Sequence, residues 1–138
     1  IPCFGPTKAA AEIEASKAWA KDFMGRHNIP TSMHQTFKRD QMVEAQAYVK
    51  TCGFPLVVKA SGLAAGKGVL IPNSVEETLS ALDDVFLKDA FGAAGNEVVL
   101  EERIEGPEAS MLAFCDGKTV RMMPAAQLPR RLCNRYPL

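Results

Sequence analysis

Two short apolar runs, Leu56-Val57-Val58 and Val69-Leu70-Ile71, stand on either side of Ser61-Gly62-Leu63-Ala64-Ala65-Gly66-Lys67-Gly68. Runs of this length and β-branched content read as buried strands. A loop this rich in glycine lets them fold back on one another as a hairpin. The same arrangement excludes a phosphate loop of the Walker type, G-x-x-x-x-G-K-[ST], which opens a helix. Here the spacing is one residue short, Gly68 replaces the hydroxyl that would reach Mg²⁺, and a strand follows. Phosphate still suits the chemistry, because N–H groups beside glycines approach an anion closely and Lys67 adds a mobile charge. A surface hairpin with a merely solvated lysine fits the spacing equally well.

The flanking segments supply helices and further strands. Thr7 can cap a helix running to about His27, with Ile13, Ala20, Phe23 and Met24 at helical spacing. Asn28-Ile29-Pro30 ends it, since the residue before a proline avoids the helical region. An extended piece over residues 33–37 follows. Asp40 then opens a second helix whose inner face is Val43, Ala45, Val49 and Cys52, closed by Gly53. Ser74 with Glu77 makes a capping box ahead of the stripe Val75, Leu79, Leu82, Phe86. A loop of small residues over 90–96 leads to a strand over 98–104. Glu105-Gly106-Pro107 is a turn, and strands over 109–115 and 119–122 are joined at Asp116-Gly117, a strong hairpin signal. Two hairpins imply antiparallel pairing, hence an α+β fold. The arginine- and proline-containing end, 128–138, has no period and reads as an unpacked tail.

Sixteen basic and sixteen acidic side chains leave a net charge of zero among 138 residues, which argues against a nucleic acid or an anionic membrane as the main partner. An anion site must then be built locally. Cys3, Cys52, Cys115 and Cys133 show no metal-binding spacing, and His27 and His34 add none, so reduced and mostly buried thiols are expected. No run of about 20 apolar residues is present, nor is a charged-then-apolar leader. A reducing, cytoplasmic setting is expected. A chain beginning at Ile1 is expected to be a fragment.

Three lysines deserve weighing together. Lys59 ends the run Leu56–Val58 on the face of Val57, where a charge is costly unless an anion compensates it or the side chain snorkels at an edge. Lys17 rims the apolar stripe of the first helix, about 40° from Ile13 and 20° from Met24 on a helical wheel. With Lys67 they would make a credible triphosphate clamp. One lysine would not. Glu101-Glu102 and Glu108 are the other constellation, able to bind a metal or sugar hydroxyls or to remain a solvated strand edge.

Taken together, these pieces resemble the ATP-grasp fold and, within it, the glycinamide ribonucleotide synthetase (phosphoribosylamine–glycine ligase) family. The resemblance rests on Phe4-Gly5-Pro6, Glu14-Ala-Ser-Lys17, Ile29-Pro30-Thr31 and the run from Val57 to Val69. It continues through Ala90-Phe-Gly-Ala-Ala-Gly95, Leu100-Glu-Glu102, Glu108-Ala-Ser110 and Asp116-Gly-Lys118. It implies an ATP-grasp nucleotide-binding subdomain at 54–127, an antiparallel sheet with helices packed on one face. A helix–strand–helix segment at 1–53 precedes it, and a divergent tail at 128–138 follows.

The resemblance also implies roles. Lys17 and Lys59 match lysines on the α- and β-phosphates of ATP. Gly62, Gly66 and Gly68, with Lys67 at the tip, match a mobile loop over the phosphates. Backbone around Glu101, Glu102 and Ile104 matches the adenine hinge, and Glu108 the ribose carboxylate. In the family, ATP phosphorylates the glycine carboxylate and 5-phosphoribosylamine attacks the acyl phosphate. Such phosphoryl transfer asks chiefly for positioning and charge neutralisation. After Gln127 the family continues Asp-His-Lys-Arg, whereas Leu128-Pro-Arg-Arg131 follows here. The Mg²⁺ (or Mn²⁺) ligands and the acceptor sites are therefore expected on a parent enzyme, in animals commonly a multifunctional purine polypeptide, and no metal site on this chain. The rival readings are a non-catalytic module that binds ATP or the full-length enzyme, and an ATP-grasp ligase for another acid.

Overall fold

Ser16 interrupts the first helix. The computed structural model describes residues 4–64 and 67–127, and α1 (Glu12–Ala15) and α2 (Lys17–Arg26) take the place of one helix from Thr7 to His27. Ser16 is extended, at φ −132° and ψ 114°, and its Oγ accepts a hydrogen bond from the Trp19 N–H. A serine that satisfies an orphan N–H in this way starts a helix rather than continuing one. Ser61 fixes the same end: its carbonyl accepts from Lys17 N at 2.9 Å and its Oγ from Ala18 N at 3.1 Å.

Four strands form an antiparallel sheet: β1 (His34–Lys38), β2 (Leu56–Ala60), β3 (Val69–Leu70) and β4 (Glu97–Glu102), in the order β1-β4-β2-β3. The hairpin across the glycine loop is the β2–β3 pair. Side chains alternate along these strands. Leu56, Val58, Val98, Leu100 and Phe37 point to one face, where they bury against Ala45 and Val49 of α3 (Met42–Thr51) and Ala81, Leu82, Val85 and Phe86 of α4 (Val75–Phe86). Val57, Lys59, Val99 and Glu101 take the opposite face, and α2 lies over it, joined through Lys21 and Glu101.

Several boundaries differ from those read in the sequence. A 3₁₀ turn, Arg39–Gln41, precedes α3, and Val43, about 160° around that helix from Ala45, lies off the inner face and is 75% exposed. β3 ends at Leu70, leaving Ile71 exposed, and β4 ends at Glu102 rather than residue 104. The small-residue loop holds a 3₁₀ turn, Gly92–Asn96. Ser74 caps α4 through Glu77 N, but the Glu77 carboxylate reaches Asn73 N instead of closing the box on Ser74. The chain divides into compact units at Ile104/Glu105. The boundary expected after residue 53 therefore falls inside the first unit, where β1 and β4 pair across it.

The second unit is described through residue 127. In it β5 (Ala113–Cys115) and β6 (Val120–Met122) pair antiparallel. Gly117 has φ +89°, and the Asp116 carboxylate accepts from the N–H groups of Thr119 and Lys118, which hold it below its ordinary pKa. The strand expected over 109–115 is confined to its last three residues, preceded by a bridge between Ser110 and Ala126. Cys115 is exposed and Cys52 half-buried, both free, so Cys115 departs from the expected burial. Residues 128–138, Gly66, Cys3 and Cys133 lie outside the described residues.

Leu82 has no exposed surface, and Leu82→Ala should lower stability by about 3 kcal/mol in urea unfolding. Val43→Ala should change it by less than about 0.5 kcal/mol. A comparable loss at both positions would contradict the position of α3.

Candidate functional site

The α2 face of the sheet carries a cleft of about 770 Å³. Lys17 and Lys21 enter it from α2, Lys59 from β2 and Glu101 from β4, while Glu14 and Gly68 form part of its rim. Strand alternation and helical spacing thus bring Lys17 and Lys59 to one space, beside a flank of the glycine loop. Lys17 Nζ donates to the Gly62 carbonyl at 3.4 Å. Lys67 is exposed and does not line the cleft.

Glu101 is the centre of the charge network. One oxygen, Oε2, accepts from Lys59 Nζ and from Ser32 Oγ, each at 2.9 Å, and forms an ion pair with Lys21 Nζ at 3.1 Å. Its side chain is 8% exposed. Burial alone pushes this carboxyl upward. The hydrogen bond and charge of Lys59, with hydrogen bonds from Lys21 and Ser32, outweigh burial and hold it below its ordinary value. Lys21 is saturated, since Nζ also donates to Thr31 Oγ1 at 2.6 Å and Ser32 Oγ at 2.9 Å.

Glu101 and Glu102 do not act as a carboxylate pair. Alternation sends them to opposite faces, and Glu102 accepts from the Met33 N–H at 3.4 Å instead. Of the hinge backbone, Glu102 N donates to Met33 O and Arg103 N to Pro55 O, each at 2.8 Å. Ile104 is 69% exposed, and its backbone makes no hydrogen bond among the described residues. Glu108 belongs to the second unit and is exposed. Among the described residues no group of three or more His, Cys, Asp or Glu side chains could hold a metal ion.

The loop glycines serve close packing. A Cβ on Gly62 would sit 2.8 Å from Ala94 Cα, and its N–H is already given to Ala94 O. A Cβ on Gly68 would lie 2.7 Å from Ala64 Cβ and 3.3 Å from Ala60 Cβ. These contacts bring the loop close against its neighbours at the cleft. Lys21 and Ser32 escaped the sequence reading. The signal for Lys21 was its position one helical turn after Lys17. Ser32 had none.

Residues 15–135 match the family model described as phosphoribosylglycinamide synthetase, ATP-grasp (A) domain. Over 131 residues the chain is 49% identical to the bifunctional purine biosynthetic protein ADE1 of Schizosaccharomyces pombe, covering 95% of this chain and 16% of that protein. It is 50% identical over 133 residues to the human trifunctional purine biosynthetic protein adenosine-3, covering 96% of this chain and 13% of that protein. The chain thus spans a sixth or less of these relatives' lengths. Among solved structures, the phosphoribosylamine–glycine ligase of Thermotoga maritima superposes with a TM-score of 0.76 at 34% identity. That match covers 88% of this chain and 31% of the ligase.

Because the Glu101 pKa is lowered on folding, its contribution to stability is full above the ordinary glutamate value of about 4.3 and is lost as pH falls through the folded value. Glu101→Gln should cost about 3 kcal/mol at pH 7, since it leaves two partly buried lysines uncompensated. In urea unfolding the gap from the unsubstituted chain should narrow at pH 3. A gap independent of pH would contradict the ionised pairing.

Proposed function

This chain belongs to the phosphoribosylglycinamide synthetase ATP-grasp (A) domain family, and from that premise we propose that its cleft holds the phosphates of ATP. The supporting observation is the convergence of Lys17 and Lys59 beside the flank of the glycine loop. Among the described residues Lys17 has a single long hydrogen bond and Lys59 a single partner, which leaves both with N–H groups for phosphate oxygens. Lys67 and the loop from Gly62 through Gly66 to Gly68 would close over the phosphates. The adenine would meet the backbone from Glu101 and Glu102 to Ile104, whose backbone makes no hydrogen bond among the described residues, and Glu108 would bind the ribose hydroxyls.

The reaction served is the joining of glycine to 5-phosphoribosylamine in purine biosynthesis, in the cytoplasm. ATP phosphorylates the glycine carboxylate, and the amine displaces phosphate to give glycinamide ribonucleotide, ADP and phosphate. Within it, Lys17 and Lys59 orient the phosphates and offset charge as the terminal phosphoryl group leaves. Mg²⁺ would supply further charge neutralisation from donors other than the described residues. The bifunctional and trifunctional relatives support a parent with further purine activities.

Calorimetry with ATP tests the reading. Binding by the unsubstituted chain is expected, and no detectable heat or melting shift would refute it. Lys59→Ala should weaken ATP by about 1–3 kcal/mol, and an unchanged affinity would remove Lys59 from the clamp. Glu108→Ala should weaken ATP but not inorganic tripolyphosphate, which has no ribose. Equal losses for the two ligands would contradict the ribose role.

A further inference from the structure

The cleft contains a charge conflict. Lys59, offered above to phosphate, is paired with the buried carboxylate of Glu101 at 2.9 Å. A carboxylate paired with Lys59 alone would neutralise the charge that a phosphate needs, and would repel the phosphate as well. Lys21 alters this balance. Its Nζ lies 3.1 Å from the same Glu101 oxygen, its side chain is 10% exposed against 28% for Lys59, and Thr31 and Ser32 take its other N–H groups. Lys21 therefore has no donor left for a ligand, whereas Lys59 has.

Building on the nucleotide reading, we propose that Lys21 is a positioning residue that sets the charge of the phosphate clamp. By compensating Glu101 and fixing its carboxylate against Ser32, it leaves the charges of Lys59 and Lys17 unspent for phosphate. The formal count at the centre of the cleft makes the device explicit. Glu14, at the rim, is common to every variant and is left out of the count: Lys17, Lys21 and Lys59 against Glu101 leave two positive charges. Without Lys21 one remains. Without both Lys21 and Glu101 there are two again.

This count predicts an order of affinities for inorganic tripolyphosphate, measured by calorimetry at fixed low ionic strength and below each variant's melting temperature. Glu101→Gln should bind most tightly, and Lys21→Met should bind about tenfold more weakly than the unsubstituted chain. The double variant Lys21→Met/Glu101→Gln should return to within about threefold of the unsubstituted chain. Lys21→Arg, which keeps the charge, should recover most of what Lys21→Met loses. A residue needed for stability alone would lower melting temperatures without producing this order, and a direct phosphate ligand would leave the double variant as weak as Lys21→Met. Either result overturns the proposal. Should Lys21→Met fail to fold, Glu101→Gln must still bind about tenfold more tightly than the double variant, and equality would overturn the proposal. If the unsubstituted chain binds neither ATP nor tripolyphosphate, the nucleotide reading falls and this inference with it. If it binds both and the order is absent, only this inference falls.

Discussion

A single buried carboxylate oxygen organises the functional face of this fold. Glu101 Oε2 draws together Lys59 from β2, Lys21 from α2 and Ser32 from the segment before β1. An ionised group taken out of water is tolerated when charge and hydrogen bonds replace its hydration. Those replacements come from three separate stretches of chain, so the oxygen ties them together. The opposite face relies on apolar burial by Leu82, Val85, Val58 and Leu100, which holds the sheet but carries no chemical specificity. The two faces divide the work: one supplies apolar burial, and the other supplies placed charge whose pairing also ties the fold together.

Where alternation decides, the sequence is legible. Lys59 was placed with Val57 because side chains on a strand alternate, and the β2–β4 register keeps both on the face of Glu101 and Val99. Lys17 was placed by helical spacing and does reach the cleft. The same rules hold for residues that were not extracted: alternation separates Glu101 from Glu102, and helical stacking sets Lys21 beneath Lys17. Tertiary partners decided the rest. Ser16 is an unremarkable helix residue until Ser61 offers a carbonyl and a hydroxyl to the start of α2. Val43 was grouped with Ala45 and Val49 as apolar, but at 100° per residue it stands about 160° from Ala45 and faces out of α3. Ser32 acquires meaning from a strand far along the chain, and local pattern carries no trace of that.

The glycines show how one residue type can answer two requirements. Their spacing suggested exposed N–H groups for an anion, yet the Gly62 N–H is given to Ala94, and the missing Cβ atoms of Gly62 and Gly68 permit contacts with Ala94, Ala64 and Ala60. The packed glycines stand at the two ends of the loop, where each lies against neighbouring alanines. A flank held against the sheet also keeps the Gly62 carbonyl within reach of Lys17, so packing and the placement of charge share the same residue.

The zero net charge of the chain now has a physical consequence. With no overall field to draw in an anion, the cleft depends on interactions short enough to escape screening, within the Debye length of about 8 Å at physiological ionic strength. At that range one carboxylate beside three lysines is a large perturbation, as a single unit charge a few ångströms away is worth kilocalories in a partly desolvated site. A clamp of lysines with no carboxylate would be stronger for phosphate but would place mutually repelling charges in a partly buried cleft before any ligand arrives. Glu101 relieves that repulsion, and Lys21 limits how much of the attraction it removes. The cleft is thereby kept stable without being made neutral, which is the condition the proposed phosphate site would have to meet.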